Sequence, residues 1–146
     1  METELTIEAM KKIMNGNLGG AREMMDLKVK VDTLIEEIIK NVQNEYDEFK
    51  KNMLKQTKDY LFKEAYMISS YTNLLYYFEN GGFYDKITSY LEYVSTDEDD
   101  IKKLEAFSKQ SILNVLYQRH FKYETLYFDL WDDIDLLIEY VIFDNE

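Results

Sequence analysis

Apolar residues recur at helical spacing along most of this sequence, and the longest such pattern lies in its first half. Its members are three or four residues apart, which places them on one face of an α-helix, with one extra four-residue step that forms a stutter. The pattern consists of Leu27, Val31, Leu34, Ile38, Val42, Tyr46, Phe49 and Met53. We therefore predict one long helix over residues 21–56, with a bend or a break at the stutter, between residues 38 and 46.

The chain has helix-ending residues in two places only, because it contains no proline and its five glycines lie at positions 16, 19, 20, 81 and 82. Long helices between these points are the consequence. Shorter apolar patterns predict further helices over residues 6–14, 59–79, 84–94, 101–115 and 123–143. We predict an all-α fold, a single-domain bundle (1–146) of five or six helices that includes one long N-terminal helix.

The predicted core draws on apolar positions of most of these helices. The run from Ser95 to Glu98 resembles a capping box that starts the next helix, with Asp99 and Asp100 in a first turn where the helix dipole favours negative charge. The expected core residues are Leu27, Val31, Leu34, Ile38, Leu61, Ile68, Leu75, Leu104, Ile112, Leu130, Ile134 and Leu137.

The length of the helix predicted over residues 21–56 creates a packing problem. It would extend about 54 Å at 1.5 Å per residue, whereas a compact chain of this size is roughly 38 Å across. Unless the helix breaks, its apolar stripe needs a cover from outside the chain. We therefore predict a homodimer through residues 21–56 if the helix is continuous.

Negative charge is concentrated in the second half of the chain. The sequence holds 29 acids and 17 bases, a net charge of −12. Residues 1–63 are near neutral, with 12 acids and 11 bases. The tyrosine-rich half, residues 64–146, therefore holds the remaining 17 acids and 6 bases. Direct binding of nucleic acid or of an anionic membrane needs a basic stripe and is disfavoured. The charge favours a partner with a basic surface.

The compartment can be predicted from segments that this sequence lacks. It contains no cysteine, no apolar signal segment near its start and no apolar run of membrane-spanning length. These features predict a cytoplasmic protein, located in the host cell cytoplasm if a phage encodes it.

Few side chains in this sequence support catalysis. His120 is the one histidine, whereas di-metal bundles and HExxH zinc motifs need at least two. The glycines form no phosphate-binding loop. His120 and Glu124 could ligate a metal, but a hydrogen bond on the helix surface is the commoner arrangement at this spacing. We expect no catalytic residue, no metal and no cofactor, and therefore a binding protein rather than an enzyme.

The last predicted helix mixes acids and apolar residues on one side. Carboxylates from 129 to 139 span about 15 Å of helix axis at roughly one per 3 Å, close to the spacing of about 3.4 Å between phosphates of a DNA strand. Apolar side chains fall in the same half of the helical wheel, which is typical of an interface. These apolar residues are Phe128, Leu136, Tyr140, Ile142 and Phe143.

Two surfaces are therefore candidates for partner binding. An ordinary solvated face of an amphipathic helix remains the alternative for the first of them. The partner-binding residues predicted there are Phe128, Asp129, Asp132, Asp133, Asp135, Glu139 and Tyr140. A secondary acidic patch consists of Asp97, Glu98, Asp99 and Asp100.

The composition and charge layout of this small, acidic, cysteine-free, helical and tyrosine-rich chain resemble those of phage-encoded inhibitors of host defence, including anti-CRISPR and DNA-mimic proteins. Those proteins share no common motif, so the resemblance assigns no residue a role. Two segments, Glu64-Ala65-Tyr66-Met67-Ile68 and 126–139, are similar to an uncharacterised acidic helical domain of Firmicutes. That similarity implies a fold and a lineage only.

Two functions follow as expectations. In the first, the chain blocks the basic nucleic-acid-binding surface of a host protein, such as a CRISPR effector, by electrostatic mimicry. In the second, it is a helical interaction module, such as an immunity protein, antitoxin or adaptor, that binds its partner mainly through apolar contacts. Salt distinguishes them, because screening weakens the first far more than the second.

Overall fold

The chain is helical nearly throughout the part that the computed structural model describes, which is residues 18–93, 97–120 and 130–144, with side chains from residue 25 onward except at position 93. No strand occurs in these ranges, so the predicted all-α class is confirmed. They contain seven α-helices, one or two more than predicted, and a final π-helical segment, Tyr140–Asp144. The helices are α1 Leu18–Leu54, α2 Lys58–Lys63, α3 Ala65–Glu79, α4 Gly82–Tyr93, α5 Glu98–Ser108, α6 Ile112–His120 and α7 Trp131–Glu139.

The additional helices arise because two predicted helices are each divided. The helix predicted over 59–79 is interrupted at Glu64, whose backbone (φ −98°, ψ 15°) leaves the helical region. The helix predicted over 101–115 ends at Ser108, whose hydroxyl donates to the carbonyl oxygen of Glu105 at 2.6 Å. Serine side chains compete in this way with backbone hydrogen bonding. The helix predicted over 6–14 lies outside the described residues.

The long helix α1 is continuous. It contains 37 residues and therefore extends about 56 Å. The prediction of a break between residues 38 and 46 is wrong, because this segment is helical throughout. The alternative that we gave, a bend, stays a prediction.

Two polar residues of α1, which we call the capping pair, explain why polar side chains occur within that segment. The Nδ2 of Asn41 donates to the carbonyl oxygen of Ser108 at the end of α5, at 2.8 Å. One turn later, the Glu45 carboxylate accepts from the backbone N–H groups of Leu113 (2.7 Å) and Asn114 (3.1 Å) at the start of α6. Helix ends leave such backbone groups without partners inside their own helix. The capping pair supplies partners to both sides of the α5–α6 turn.

Backbone contacts group the chain into two compact units, Met1–Leu34 and Ile35–Glu146. The second unit contains α2 to α7 and the candidate site. Within it α3 packs beside α4 and α6, α7 packs beside the same two helices, and the π-helical segment packs beside α5. This arrangement places α7 against α4, which positions the carboxylates described below.

The core of the second unit is built mainly from residues that are completely buried. Five of the predicted core residues are buried there: Ile38, Leu104, Ile112, Ile134 and Leu137. Val31 and Leu34, which belong to the first unit, are buried as well. Leu27, Leu61, Ile68 and Leu75 are half-buried. Large core residues that the apolar pattern did not predict include Tyr77, Phe78, Phe83, Leu113 and Leu116.

Leu130 was wrongly assigned to the core. It is 54% exposed because it is the N-cap of α7 and has an extended backbone (φ −112°, ψ 119°). The final α-helix therefore begins at Trp131, and residues 123–129 of the helix predicted over 123–143 lie outside the described residues.

The predicted helix start near Ser95 is displaced by two residues. Asp97 is the N-cap of α5, and its carboxylate accepts from the backbone N–H of Asp100 at 3.0 Å. The Asp100 carboxylate in turn accepts from the Asp97 backbone, which completes a capping box between these two residues. Ser95 lies outside the described residues. None of the helices described is long and apolar enough to cross a bilayer.

Candidate functional site

Carboxylates of α4 and α7 lie on one surface of the second unit. Asp132 and Asp85 are both close enough to Asp135 to raise its pKa. We call this surface the acidic face and define it by its carboxylates, Asp85, Asp132, Asp133, Asp135 and Glu139, and by the exposed apolar and aromatic side chains Tyr76, Trp131, Leu136 and Tyr140.

The helical period of α7 produces the mixture of charge and apolar surface. Ile134, Leu137 and Ile138 are buried against the rest of the unit. Asp132, Leu136 and Tyr140 follow one another at four-residue spacing on the opposite side, and all three are exposed. Acidic and apolar side chains thus share one exposed stripe, as the helical wheel predicted for Leu136 and Tyr140.

The wheel was wrong for Ile142 and Phe143, which are buried. The chain changes from α-helix to π-helix at Tyr140, and a π-turn has a wider hydrogen-bonding step that shifts the following side chains out of α-helical register. Phe143 stacks on Tyr90, with ring centroids 4.0 Å apart, while the Nζ of Lys103 donates to the Phe143 carbonyl oxygen at 3.0 Å. The acidic face therefore ends near Tyr140.

Asp135 is held by a buried partner. The hydroxyl of Tyr77 donates to its carboxylate at 2.6 Å, and the Tyr77 ring lies against Gly82, where an added Cβ would overlap it. Burial, followed by Asp132 and Asp85, raises the pKa of Asp135, although Tyr77 and Lys86 oppose the shift. Asp135 thus contributes to the fold through its hydrogen bond with Tyr77. It also lies close to the exposed carboxylates of Asp85 and Asp132.

Glu139 is also engaged within the unit. Its carboxylate forms an ion pair with the Nζ of Lys86 at 2.8 Å, and the same ammonium group lies 5.9 Å from the centre of the Tyr90 ring. Lys86 is the one basic residue in the sequences of α4 and α7. Because it is already paired, the remaining carboxylates dominate the charge of the acidic face.

Two exposed aromatic residues at the edge of the acidic face were missed by the sequence analysis. Trp131 is 38% exposed and Tyr76 is 59% exposed, and their ring centroids lie 6.1 Å apart. The Trp131 ring also meets the edge of the buried Tyr77 ring. The available signal was Trp131 itself, the single tryptophan, directly before two of the acids that we singled out.

The secondary acidic patch lies near the acidic face. Burial raises the pKa of Tyr90, and Asp100, Glu139 and Asp144 raise it further, so the start of α5 and the end of the π-helical segment lie close to the same ring. Asp97 and Asp100 are used in the capping box, whereas Glu98 and Asp99 are exposed. From the sequence, this patch is expected to be a surface separate from the last helix.

Three residues predicted to bind a partner or considered as metal ligands belong to the segment 121–129. Phe128, Asp129 and Glu124 lie outside the described residues, so their assignments stay predictions. His120 is buried, and its Nε2 is 2.8 Å from the hydroxyl of Tyr66. The expected arrangement was a hydrogen bond on the helix surface at four-residue spacing, whereas the imidazole is buried and its partner Tyr66 lies on another helix.

Comparisons of this chain with protein-family models, with curated proteins and with solved structures find no match.

Proposed function

We propose that the chain is a non-enzymatic binding protein whose acidic face occupies the basic nucleic-acid-binding surface of a host protein, in the manner of anti-CRISPR or DNA-mimic inhibitors. The observation that carries this proposal is the exposed stripe of α7, where Asp132 precedes Leu136 and Tyr140 on one side of the helix. Such a stripe offers a basic partner both charge and apolar contact.

Electrostatics supports the proposal. From Trp131 to Asp144 the sequence contains five acids and no base, and Asp85 adds an exposed carboxylate from α4. A surface of one sign raises the rate of encounter with a surface of the opposite sign. The partner expected is a protein that normally binds phosphates, because its lysines and arginines are already arranged for a row of anions.

The apolar members of the face supply a second component of binding. Trp131, Tyr76 and Tyr140 present large rings with polar tips, the side chains most often found as binding hot spots. Their position beside carboxylates fits an interface with a buried aromatic centre and a charged rim. Rim charges act mainly on the association rate, whereas buried anchors act on dissociation.

One observation favours the second candidate function, a helical interaction module of the immunity-protein, antitoxin or adaptor kind. Asp135 and Glu139 already have partners in Tyr77 and Lys86, which leaves fewer carboxylates for a new partner. In that case Trp131, Tyr76 and Leu136 provide most of the affinity. Binding then persists at high salt and depends little on Asp85 or Asp132.

The experiment begins by capturing the partner from a bacterial lysate with the purified chain and identifying it by mass spectrometry. The decisive measurement is whether the chain displaces nucleic acid from that purified partner in a mobility-shift assay. We expect displacement, and we expect it to weaken as salt rises from about 50 to about 500 mM, since the Debye length shortens over this range. A partner that binds nucleic acid and the chain together would contradict the proposal.

Matched variants identify the surface that is responsible. Asp85→Asn with Asp132→Asn removes two exposed charges from the acidic face, and Glu37→Gln with Asp47→Asn removes two exposed charges from α1. The first pair should weaken displacement by about tenfold, as expected for rim charges, while the second should leave it unchanged. Trp131→Ala tests the alternative, for which it should be the more damaging change at high salt.

The homodimer predicted through residues 21–56 is a separate proposal. Val29 and Met25 are apolar residues of α1 that are 64% and 53% exposed. These two residues do not belong to the predicted stripe, whose members Val31, Leu34 and Ile38 are buried in the single chain. A homodimer through residues 21–56 would therefore have to use Met25 and Val29, and such an apolar contact would resist salt. Sedimentation velocity at high ionic strength is the appropriate measurement.

A further inference from the structure

A second charged surface, opposite in sign to the acidic face, is formed by the end of α1 and by α2. Residues 50–63 contain five lysines and one aspartate, 5 − 1 = +4, in a chain whose net charge is −12. We call this segment the basic tip. Its lysines are Lys50, Lys51, Lys55, Lys58 and Lys63, and all of them are exposed.

The basic tip also exposes large apolar side chains. Phe62 is 87% exposed and Leu54 is 75% exposed, and Tyr60 lies nearby in sequence at 38%. None of the residues of α2 is buried. A phenylalanine exposed to this extent gains nothing from the fold, so the apolar surface of the tip is suited to an external contact.

Local hydrogen bonds form the tip without using its charges. Thr57 is the N-cap of α2, and its hydroxyl accepts from the backbone N–H of Tyr60 at 3.2 Å. Lys51 forms one long ion pair with Glu48, at 3.5 Å. No ion pair joins Lys50, Lys55, Lys58 or Lys63 to another residue of the described chain. These ammonium groups are therefore available to an acidic partner.

The acidic face has the features that such a tip requires. It offers Asp85 and Asp132 to lysines, and Trp131 and Tyr76 as aromatic surfaces that accept both a cation and a phenylalanine ring. We propose that the occupant of the basic tip is a second copy of this chain, bound through its acidic face. The inference rests on the proposed function in one respect: it takes the acidic face to be a binding surface.

A second copy fits better than an anionic membrane or nucleic acid. Those ligands present negative charge over an extended surface, which the 29 acids of this chain would oppose. A second copy brings a compact acidic face together with exposed aromatic residues. Because tip and face are different surfaces, the contact is heterologous and either closes into a ring or continues as a chain of copies. Self-association would also cover the acidic face and compete with a host partner.

The test uses charge reversal on the full chain. Lys55→Glu with Lys58→Glu reverses the tip, and Asp85→Lys with Asp132→Lys reverses the face. Lys40→Glu with Lys109→Glu, two exposed lysines elsewhere, provides a control with the same charge change as the tip reversal. Phe62→Ser removes the apolar contact without altering charge, and the exposure of Phe62 makes it compatible with folding. Circular dichroism confirms the fold of each variant.

We expect sedimentation velocity of the wild-type chain at about 100 µM to show association at low salt and a monomer of 17.6 kDa at high salt, where a homodimer through residues 21–56 would instead persist. Both reversed variants and Phe62→Ser should be monomeric, and the control should associate like wild type. A mixture of the two reversed variants recovers one native contact, between the intact tip of one and the intact face of the other. It should therefore restore association, beginning with a species of about 35 kDa, twice the monomer mass. The reversed tip and the reversed face are also opposite in charge, so larger species are equally consistent with the inference.

Three results would overturn the inference. The first is a wild-type chain that stays monomeric at low salt, and the second is association that survives both reversals, as a contact through residues 21–56 would. The third is a tip that binds phosphatidylserine vesicles or duplex DNA in preference to a second copy of the chain. The tip-reversed variant keeps an intact acidic face, so its displacement of nucleic acid from the host partner tests the proposed function independently.

Discussion

Carboxylates are used in opposite ways on α1 and on α7. Glu45 of α1 points into the unit and accepts two backbone hydrogen bonds from the start of α6, whereas Asp132 of α7 is exposed beside other acids. The same chemical group stabilises the fold at Glu45 and gives the surface negative charge at Asp132. The difference depends on which donors the neighbouring helices bring within reach.

Asp135 lies between these two cases. It accepts a hydrogen bond from buried Tyr77 as Glu45 does from backbone groups, and it adjoins Asp132 and Asp85 as a member of the acidic face. Burial raises the pKa of both Glu45 and Asp135. The comparison therefore predicts graded effects on stability, which decrease from Glu45 through Asp135 to Asp132.

Replacing Glu45 should have the largest effect. Glu45→Ala leaves two N–H groups at the start of α6 without their acceptor, and we expect a loss of about 2 kcal/mol in the free energy of unfolding. Urea denaturation followed by circular dichroism measures it. Glu45→Gln retains one acceptor oxygen and should lose about half as much. A loss equal to that of the exposed control Asp47→Ala would show that the capping pair does not stabilise the turn.

Removing the Tyr77 hydroxyl should have a smaller effect. Tyr77→Phe keeps the buried ring but deprives Asp135 of its donor, which should lower stability by about 1 kcal/mol. The pKa of Asp135 should rise further, because Asp132 and Asp85 continue to oppose its charge. Measurement of the Asp135 carboxyl titration by NMR in both proteins checks this direction. An unchanged titration would mean that the hydrogen bond contributes little in solution.

Mild acidification should stabilise the protein slightly. The pKa values of Glu45, Asp100 and Asp135 are raised in the folded chain, mainly by burial, so the folded state binds protons more tightly than the unfolded state. Stability should then increase as the pH falls from 7 through the folded pKa values, and the gain should end near the unfolded values of 4.5 for Glu and 3.8 for Asp.

Thermal unfolding at pH 7, 6 and 5 measures this dependence. The melting temperature should rise toward pH 5, and Asp135→Asn should make the rise smaller. A melting temperature that falls steadily over the same interval would contradict the assigned direction of these pKa shifts.

The smallest effect on stability is expected at Asp132. Asp132→Asn should change the free energy of unfolding by no more than about 0.5 kcal/mol, as is usual for an exposed site. Differential scanning calorimetry compares it with the Glu45 variants. A large loss would place Asp132 among the structural carboxylates and weaken its assignment to a binding surface.

The sequence predicted the helical class and the mixed face of α7 because both depend on local periodicity, as Leu136 and Tyr140 illustrate. It did not predict the roles of Glu45 and Tyr77, because their partners lie 68 and 58 residues away along the chain. The burial of Ile142 and Phe143 was missed because a helical wheel assumes one constant period, which the π-helical segment breaks. The helix interruptions at Glu64 and Ser108 were not predicted, because neither contains the glycine or proline that usually indicates the end of a helix.

The central claim is that the acidic face is a contact surface. The most direct measurement is the salt dependence of the dissociation constant between the captured partner and three proteins: the wild-type chain, Asp85→Asn with Asp132→Asn, and the control Glu37→Gln with Asp47→Asn. We predict a steep slope for the wild type and the control and a clearly shallower slope for the face variant. Equal affinities and equal slopes for all three would show that the face is merely solvated.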